Sequence, residues 1–154
     1  MALSVILIWY AGIGAMAVAG TIALSSKLLS AKAEQIVFGA LLAPIAAVYF
    51  AFTAYFRADD AWRLEAVAVV LFAVLGALGM RVAALLVLGY VLHGGWDLLH
   101  ELQAHKGVDA IGGASHVSQI PLAYGAFCAS YDWCIAGYFY RRRAQWKAAW
   151  GAHR

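Results

Sequence analysis

Apolar runs of about 20 residues recur along this chain, and they constrain its fold more than any other feature. A run of that length is what an α-helix needs to cross a hydrocarbon core of about 30 Å. The composition agrees, because 65% of the residues are hydrophobic and only 12% are charged, against roughly a quarter charged in soluble domains. The sequence therefore predicts an all-α fold, a polytopic transmembrane helical bundle.

Residues 64–102 form the longest apolar stretch, and this stretch must fold back on itself. As a single helix it would measure about 58 Å, almost twice the thickness of the hydrocarbon core. We expect the turn at residues 76–81, where glycines are followed by an arginine. The chain then divides into five predicted spans, at about 3–25, 35–56, 64–79, 82–102 and 118–140.

The distribution of Lys and Arg predicts the orientation of these spans. Of the 11 such residues, Arg57, Arg63 and Lys106 flank one side of the predicted membrane and the other eight flank the opposite side. Because cytoplasmic loops are enriched in Lys and Arg, we expect the N-terminus outside and the C-terminus in the cytoplasm. The expected location is the cell membrane, crossed several times, with membrane lipids as partners. The net charge of +3 comes from these flanking residues and does not indicate nucleic-acid binding.

The domain organisation that follows is simple. We predict a single transmembrane domain over residues 1–143 and a basic tail at 144–154. The tail holds Trp146, Lys147 and Trp150, a composition typical of a helix that lies at the membrane interface.

Ionisable side chains interrupt the fourth predicted span. At 100° per residue, His93, Asp97 and His100 fall within about 60° of one another on a helix, with Tyr90 at the edge of the same face. The fifth span adds Asp132, which no loop is near enough to explain. An ionisable group at this depth costs at least about 2.5–3.5 kcal/mol, so these side chains need partners, water or a metal ion.

Our first hypothesis is a membrane-embedded, metal-dependent enzyme, a hydrolase or an oxidoreductase that acts on a lipid or another hydrophobic small molecule. Imidazole and carboxylate ligands together suit Zn²⁺, Fe²⁺ or Mn²⁺. The predicted metal ligands are His93, Asp97, His100 and Asp132. The predicted catalytic residues are Asp132, as a ligand or general base, and Tyr90 or Tyr131, as a hydrogen-bond donor.

The same residues also support other hypotheses. His93 and Asp97 lie four residues apart and could form a hydrogen-bonded pair that relays protons or passes an ion. A purely structural polar network that joins spans four and five is a third alternative. A haem is not expected, because His93 and His100 share one helix and cannot both be axial ligands of the same haem. Nucleotide-binding signatures are absent from the sequence, so no nucleotide cofactor is expected.

Several neighbouring residues have simpler explanations. Three are either additional ligands or solvated residues at the membrane edge: Glu101, His105 and His116. Glu34, at the start of the second span, is expected to be a solvated residue that favours the helix start. Gly94 and Gly95 would allow a neighbouring helix or a ligand to approach closely beside His93.

Two motifs resemble those of a family of small integral membrane proteins without an established reaction. Residues 93–100 read His-Gly-Gly-Trp-Asp-Leu-Leu-His, similar to the family's His-Gly-x-Trp-Asp-x-x-His. Residues 128–132 read Cys-Ala-Ser-Tyr-Asp, similar to its Cys-x-x-Tyr-Asp element. The similarity extends from about residue 35 to residue 138, and this chain has Glu101 where members often have a further histidine. The resemblance implies that spans four and five hold the signature residues together.

Overall fold

The chain forms five long helices in a computed structural model that describes residues 1–106 and 117–151, without the side chains of residues 105 and 106. The helices are α1 (Ala2–Leu28), α2 (Ala31–Tyr55), α3 (Trp62–Gly79), α4 (Ala83–Lys106) and α5 (Tyr124–Gly151), and a short 3-10 helix (Asp59–Ala61) precedes α3. The predicted all-α fold and the five predicted helices are confirmed. The fold-back is also where the sequence places it, because α3 ends at Gly79 and α4 begins at Ala83.

Helix ends differ from the predicted bounds mainly at α2 and α5. Ser30 caps α2, and its hydroxyl accepts the backbone N–H of Ala33 at 3.2 Å, so the helix begins four residues before the predicted start at 35. α5 continues without a break to Gly151, and the side chain of Trp146 is fully buried in the bundle. The boundary expected at residue 143 therefore does not coincide with a helix end. The interfacial position of residues 144–154 stays a prediction.

The helices pack in the order α1, α5, α4, α3, α2, so that α5 lies between α1 and α4. Glycines allow the closest approaches. A Cβ atom at Gly14 of α1 would overlap the carbonyl oxygen of Phe127 in α5, and one at Gly76 of α3 would overlap that of Gly39 in α2. Small residues at such contacts let helix backbones approach where lipid provides no hydrophobic drive for association.

Close contact between α4 and α5 also depends on glycines, and it positions the polar residues. A Cβ atom at Gly94 would lie 2.7 Å from the indole nitrogen of Trp133, and one at Gly125 would lie 2.8 Å from Cβ of Glu101. The expected close approach beside His93 is thus confirmed at Gly94. At Gly95, a Cβ atom would meet nothing within 4 Å.

Many large apolar side chains lie on the surface of this bundle, and several charged side chains lie inside it. A soluble protein usually shows the opposite distribution of charged side chains. Three helical segments are long and apolar enough to cross a membrane: Ala2–Leu28, Ala31–Tyr55 and Asp59–Gly79. Large apolar side chains such as Ile8, Val67 and Val70 are exposed, while carboxylates and imidazoles are buried. This arrangement fits a membrane protein, in which apolar side chains face lipid and polar groups must find partners inside the bundle.

Glu34 is a buried carboxylate whose two oxygens both accept hydrogen bonds. We expected it to be solvated, but this was wrong: its side chain is fully buried. Its two carboxylate oxygens accept hydrogen bonds at 2.7–3.0 Å from four side chains of α1 and α5: Ser25, Tyr138, Arg142 and Trp146. The extension of α5 beyond residue 140 supplies two of these donors. Glu34 therefore joins α1, α2 and α5 at one end of the bundle.

Substitution Gly125→Ala should destabilise the protein by about 1–3 kcal/mol, because the new methyl group would overlap the backbone of α4. The matched control is Gly137→Ala on the same helix, where a Cβ atom would meet nothing within 4 Å. Thermal unfolding in detergent should show a lower midpoint for the first variant only. Equal midpoints for both would contradict the described contact between α4 and α5.

Candidate metal centre

Three buried side chains meet where α4 faces α5: His93, Asp97 and Asp132. His93 Nδ1 lies 2.7 Å from Asp132 Oδ2 and 3.2 Å from Asp97 Oδ2. One ligand atom from each residue can be chosen so that all three lie within 4.8 Å of one another. The exposed fraction is 3% for His93 and Asp132 and 0% for Asp97, so solvent does not screen the group.

The helical repeat explains why these side chains converge. His93 and Asp97 are one turn apart on α4, so both face the same neighbouring helix. Asp132 comes from α5, whose close approach is made possible by Gly94 and Gly125. The centre therefore depends on two adjacent helices and on the glycines between them.

Tyr49 of α2 completes the group. Its hydroxyl donates a short hydrogen bond to Asp97 Oδ1, and the residue is almost fully buried. This bond fixes one oxygen of Asp97 and directs the other towards His93. The ring of Phe72, from α3, contacts the imidazole edge to face, with ring centroids 4.8 Å apart.

The residues present fit a divalent cation. Bonds of about 2.0–2.2 Å place two nitrogen or oxygen ligands of one tetrahedral ion about 3.4 Å apart, so the three side chains would close in around a bound ion. Among the described residues, Asp97 Oδ2 and His93 Nε2 have no hydrogen-bond partner. Two ionised carboxylates beside a neutral imidazole would carry a formal charge of −2, which a divalent ion would balance.

His100 lies apart from this group and pairs with Glu65 of α3. Its Nε2 is 2.8 Å from Glu65 Oε1, and its Nδ1 is 2.9 Å from the carbonyl oxygen of Trp96, which can only accept. Glu65 Oε1 also accepts the backbone N–H of Ser118 at 2.9 Å. Both ring nitrogens of His100 therefore have a hydrogen-bond partner. The structure thus assigns His100 to a second polar contact, between α3 and α4.

The remaining predicted residues serve other contacts. The hydroxyl of Tyr90 donates to the carbonyl oxygen of Phe38 at 3.0 Å, and that of Tyr131 bonds Thr21 of α1 at 3.0 Å. Glu101 is buried rather than solvated, and its two oxygens accept the backbone N–H groups of Ala123 and Ala126 at 3.2 Å. It therefore caps the first turn of α5. The side chain of His105 and all of His116 lie outside the described residues.

Two residues of this region are missed by the sequence analysis, Tyr49 and Glu65. Tyr49 lies in the middle of a long apolar run, where an aromatic residue is unremarkable in sequence. Glu65 lies at the start of a span, where a carboxylate is usually explained by solvation and the helix dipole. Only Tyr49 could have been suspected, because a phenol at mid-membrane depth needs an acceptor.

Comparison with known families shows a match over most of the chain. The model of a family described as a family of unknown function (DUF6010) matches residues 10–145. No curated protein matches, and no solved structure matches.

A double-mutant cycle would test the contact between His100 and Glu65. His100→Leu alone should cost about 3–5 kcal/mol of unfolding free energy, because it leaves a buried carboxylate without its histidine partner. The double variant His100→Leu/Glu65→Leu should cost clearly less than the sum of both single changes. Additive losses, measured by unfolding in detergent, would contradict the pairing.

Proposed function

The chain belongs to DUF6010, a family of unknown function, and we propose that it is a membrane-embedded enzyme that depends on one divalent metal ion. Its ligands would be His93, Asp97 and Asp132. The observation that carries the proposal is the convergence of their ligand atoms within 4.8 Å in the buried interior of a bundle rich in apolar helices.

Hydrolysis of a hydrophobic substrate is the reaction that these residues support best. A bound Zn²⁺, Fe²⁺ or Mn²⁺ with an open coordination position supplies a Lewis acid and an activated water molecule. Asp132 and Asp97 both lie beside Nδ1 of His93, at 2.7 and 3.2 Å, and this contact orients the imidazole. The hydroxyl of Tyr49 keeps Asp97 from rotating away. These groups would also accept and return the proton that hydrolysis moves.

An apolar groove on α4 and α5 supports a lipid or another hydrophobic molecule as the substrate. It has a volume of about 340 Å³ and lies between α1, α4 and α5. Its wall includes Leu98, Ala129 and Trp133, and Leu98 and Trp133 directly follow Asp97 and Asp132 in sequence. Apart from Glu101 and Ser130, its lining is apolar, which suits an acyl chain better than a polar solute.

We propose a multi-pass protein of the cell membrane, with all five helices crossing and the C-terminus in the cytoplasm. The eight Lys and Arg residues on one side of the predicted spans, against three on the other, support this orientation. α4 and α5 would cross by directing their carboxylates and imidazoles towards each other rather than towards lipid.

A proton relay is the second candidate, and one observation favours it. With Nδ1 directed at Asp132, His93 keeps a buried Nε2 that has no partner among the described residues. An imidazole held in this way can take up a proton on one nitrogen and release it from the other. Reconstituted vesicles that show proton flux in the wild type but not in Asp132→Asn, with no metal in the purified protein, would support this candidate instead.

Metal analysis tests the first proposal. We expect the purified protein to hold about one Zn, Fe or Mn per chain, and the variants His93→Ala and Asp132→Asn to lose it. The matched control is His100→Gln, which alters a histidine on the same helix but outside the centre and should keep the ion. Loss of the metal in His100→Gln, in a variant that remains folded, would contradict the ligand set. Wild-type protein purified without chelators that holds no stoichiometric metal would overturn the proposal.

Tyr49→Phe should weaken metal binding by about 10–100-fold, because Asp97 would lose the hydrogen bond that orients it. Tyr90→Phe is the matched control, since its hydroxyl bonds a backbone carbonyl and not the centre. Competition with a chelator of known affinity gives both dissociation constants. A Tyr49→Phe variant that binds as tightly as Tyr90→Phe would show that Tyr49 does not position Asp97.

A further inference from the structure

A cavity at one end of the bundle gathers basic side chains from three parts of the chain. It lies where α3 turns into α4 and where the last turns of α5 pass, and its volume is about 470 Å³. Arg81, Arg143 and Lys147 line it, together with Gln35 and Trp150. We propose that this cavity binds a phosphate group, carried either by an anionic phospholipid or by a free phosphorylated molecule.

A rigid aromatic wall gives the cavity a fixed shape. The indole nitrogen of Trp150 donates to Gln35 Oε1 at 3.0 Å, and Gln35 Nε2 donates to the carbonyl oxygen of Gly79 at 2.8 Å. The side chain of Gln35 is fully buried. The end of α5 is therefore tied to α2 and to the end of α3, and the indole is held in one orientation.

Two cations lie over that indole. The guanidinium carbon of Arg81 is 4.1 Å from the ring centroid of Trp150, and Lys32 Nζ is 4.2 Å from it. These cation–π contacts restrict both side chains without neutralising them. On α5, Arg143 and Lys147 line the cavity one helical turn apart, and the Arg143 guanidinium also lies over the ring of Tyr140. Three positive charges thus line one space, and Lys32 lies against the same indole.

Nothing in the part of the chain that the structure describes neutralises this group. None of the four cations forms an ion pair there, and the buried acid nearest in sequence, Glu34, is already bonded to Arg142. Like charges repel one another, so an anion bound in the cavity would stabilise the arrangement. A phosphate group fits this role, because Arg binds its oxygens in a planar fork and Lys binds them as a point charge.

The cavity is separate from the candidate metal centre. Its nearest residues on α4 lie about ten positions before His93, or about 15 Å along the helix. The proposal therefore does not depend on the metal. This end of the bundle would then hold a second binding site, which recognises a negatively charged group and not an apolar one.

The test compares probes that carry the phosphate in different forms. The full chain in a neutral detergent is titrated with phosphatidylglycerol, with phosphatidylcholine and with inorganic phosphate, and the midpoint of thermal unfolding is followed. Phosphatidylglycerol should raise the midpoint saturably, since a ligand that binds only the folded state stabilises it. Phosphatidylcholine, which has no net charge, should raise it far less. An equal response to inorganic phosphate identifies a free anion as sufficient, and a response to the lipid alone identifies the headgroup as the source.

Charge-removing variants locate the site. Arg81→Gln/Lys147→Gln should raise the half-saturating concentration about 30-fold, given the usual contribution of each cation near an anionic headgroup. Arg57→Gln/Arg63→Gln removes two cations elsewhere and should behave as the wild type. If the first double variant fails to fold, Lys147→Gln alone leaves the indole contacts intact and should weaken binding about fivefold. A wild-type response from the cavity variants, an equal loss in the Arg57/Arg63 variant, or no response to any probe would overturn the proposal.

Discussion

Buried carboxylates constrain how this bundle is assembled, because each must be satisfied by a group from another part of the chain. Residues 1–106 and 117–151 contain five of them: Glu34, Glu65, Asp97, Glu101 and Asp132. A carboxylate without a partner in a low-dielectric interior costs several kcal/mol of folding free energy. A helix in the wrong position would therefore strongly destabilise the bundle. Apolar contacts alone give little preference for one helix arrangement in lipid, where side chains outside the bundle meet an equally apolar surrounding. The carboxylates supply the missing specificity.

The five helices differ in how many ionisable groups they contribute to the interior of the bundle. α1, α2 and α3 contain the apolar segments long enough to cross a membrane, and they contribute single polar side chains such as Tyr49 and Glu65 to the interior. α4 and α5 carry most of the ionisable groups and face each other along glycine contacts. The candidate metal centre is therefore enclosed by helices that are themselves compatible with lipid, and this enclosure strengthens each electrostatic contact within it.

The sequence predicts the helices well, because length and hydropathy leave few alternatives for apolar runs in this chain. It also predicts that Asp132 meets His93 and Asp97, since a carboxylate far from any loop must find a partner. It does not predict the separation of His100, because helical periodicity places His93 and His100 on one face without saying which neighbour each one contacts. The neighbour that His100 contacts is determined by Glu65, a residue of α3 that forms a hydrogen bond with His100. The burial of Glu34 is not predicted for a related reason: two of its four partners, Arg142 and Trp146, lie beyond the predicted end of the fifth span.

The cap that Glu101 places on α5 has a consequence for how stable α4 and α5 are in a membrane. In lipid, α4 alone would expose two carboxylates. α5 alone would expose Asp132, and the backbone N–H groups at its start would lose the hydrogen bonds that they donate to Glu101. Each helix would then bear a transfer penalty of at least about 2.5–3.5 kcal/mol per charged group. When the two helices pack together, these polar groups are satisfied. Glu101 of α4 accepts N–H groups at the start of α5, and His93 of α4 bonds Asp132 of α5. If α4 and α5 cross the membrane as proposed, they should be more stable in lipid as a packed pair than as separate helices.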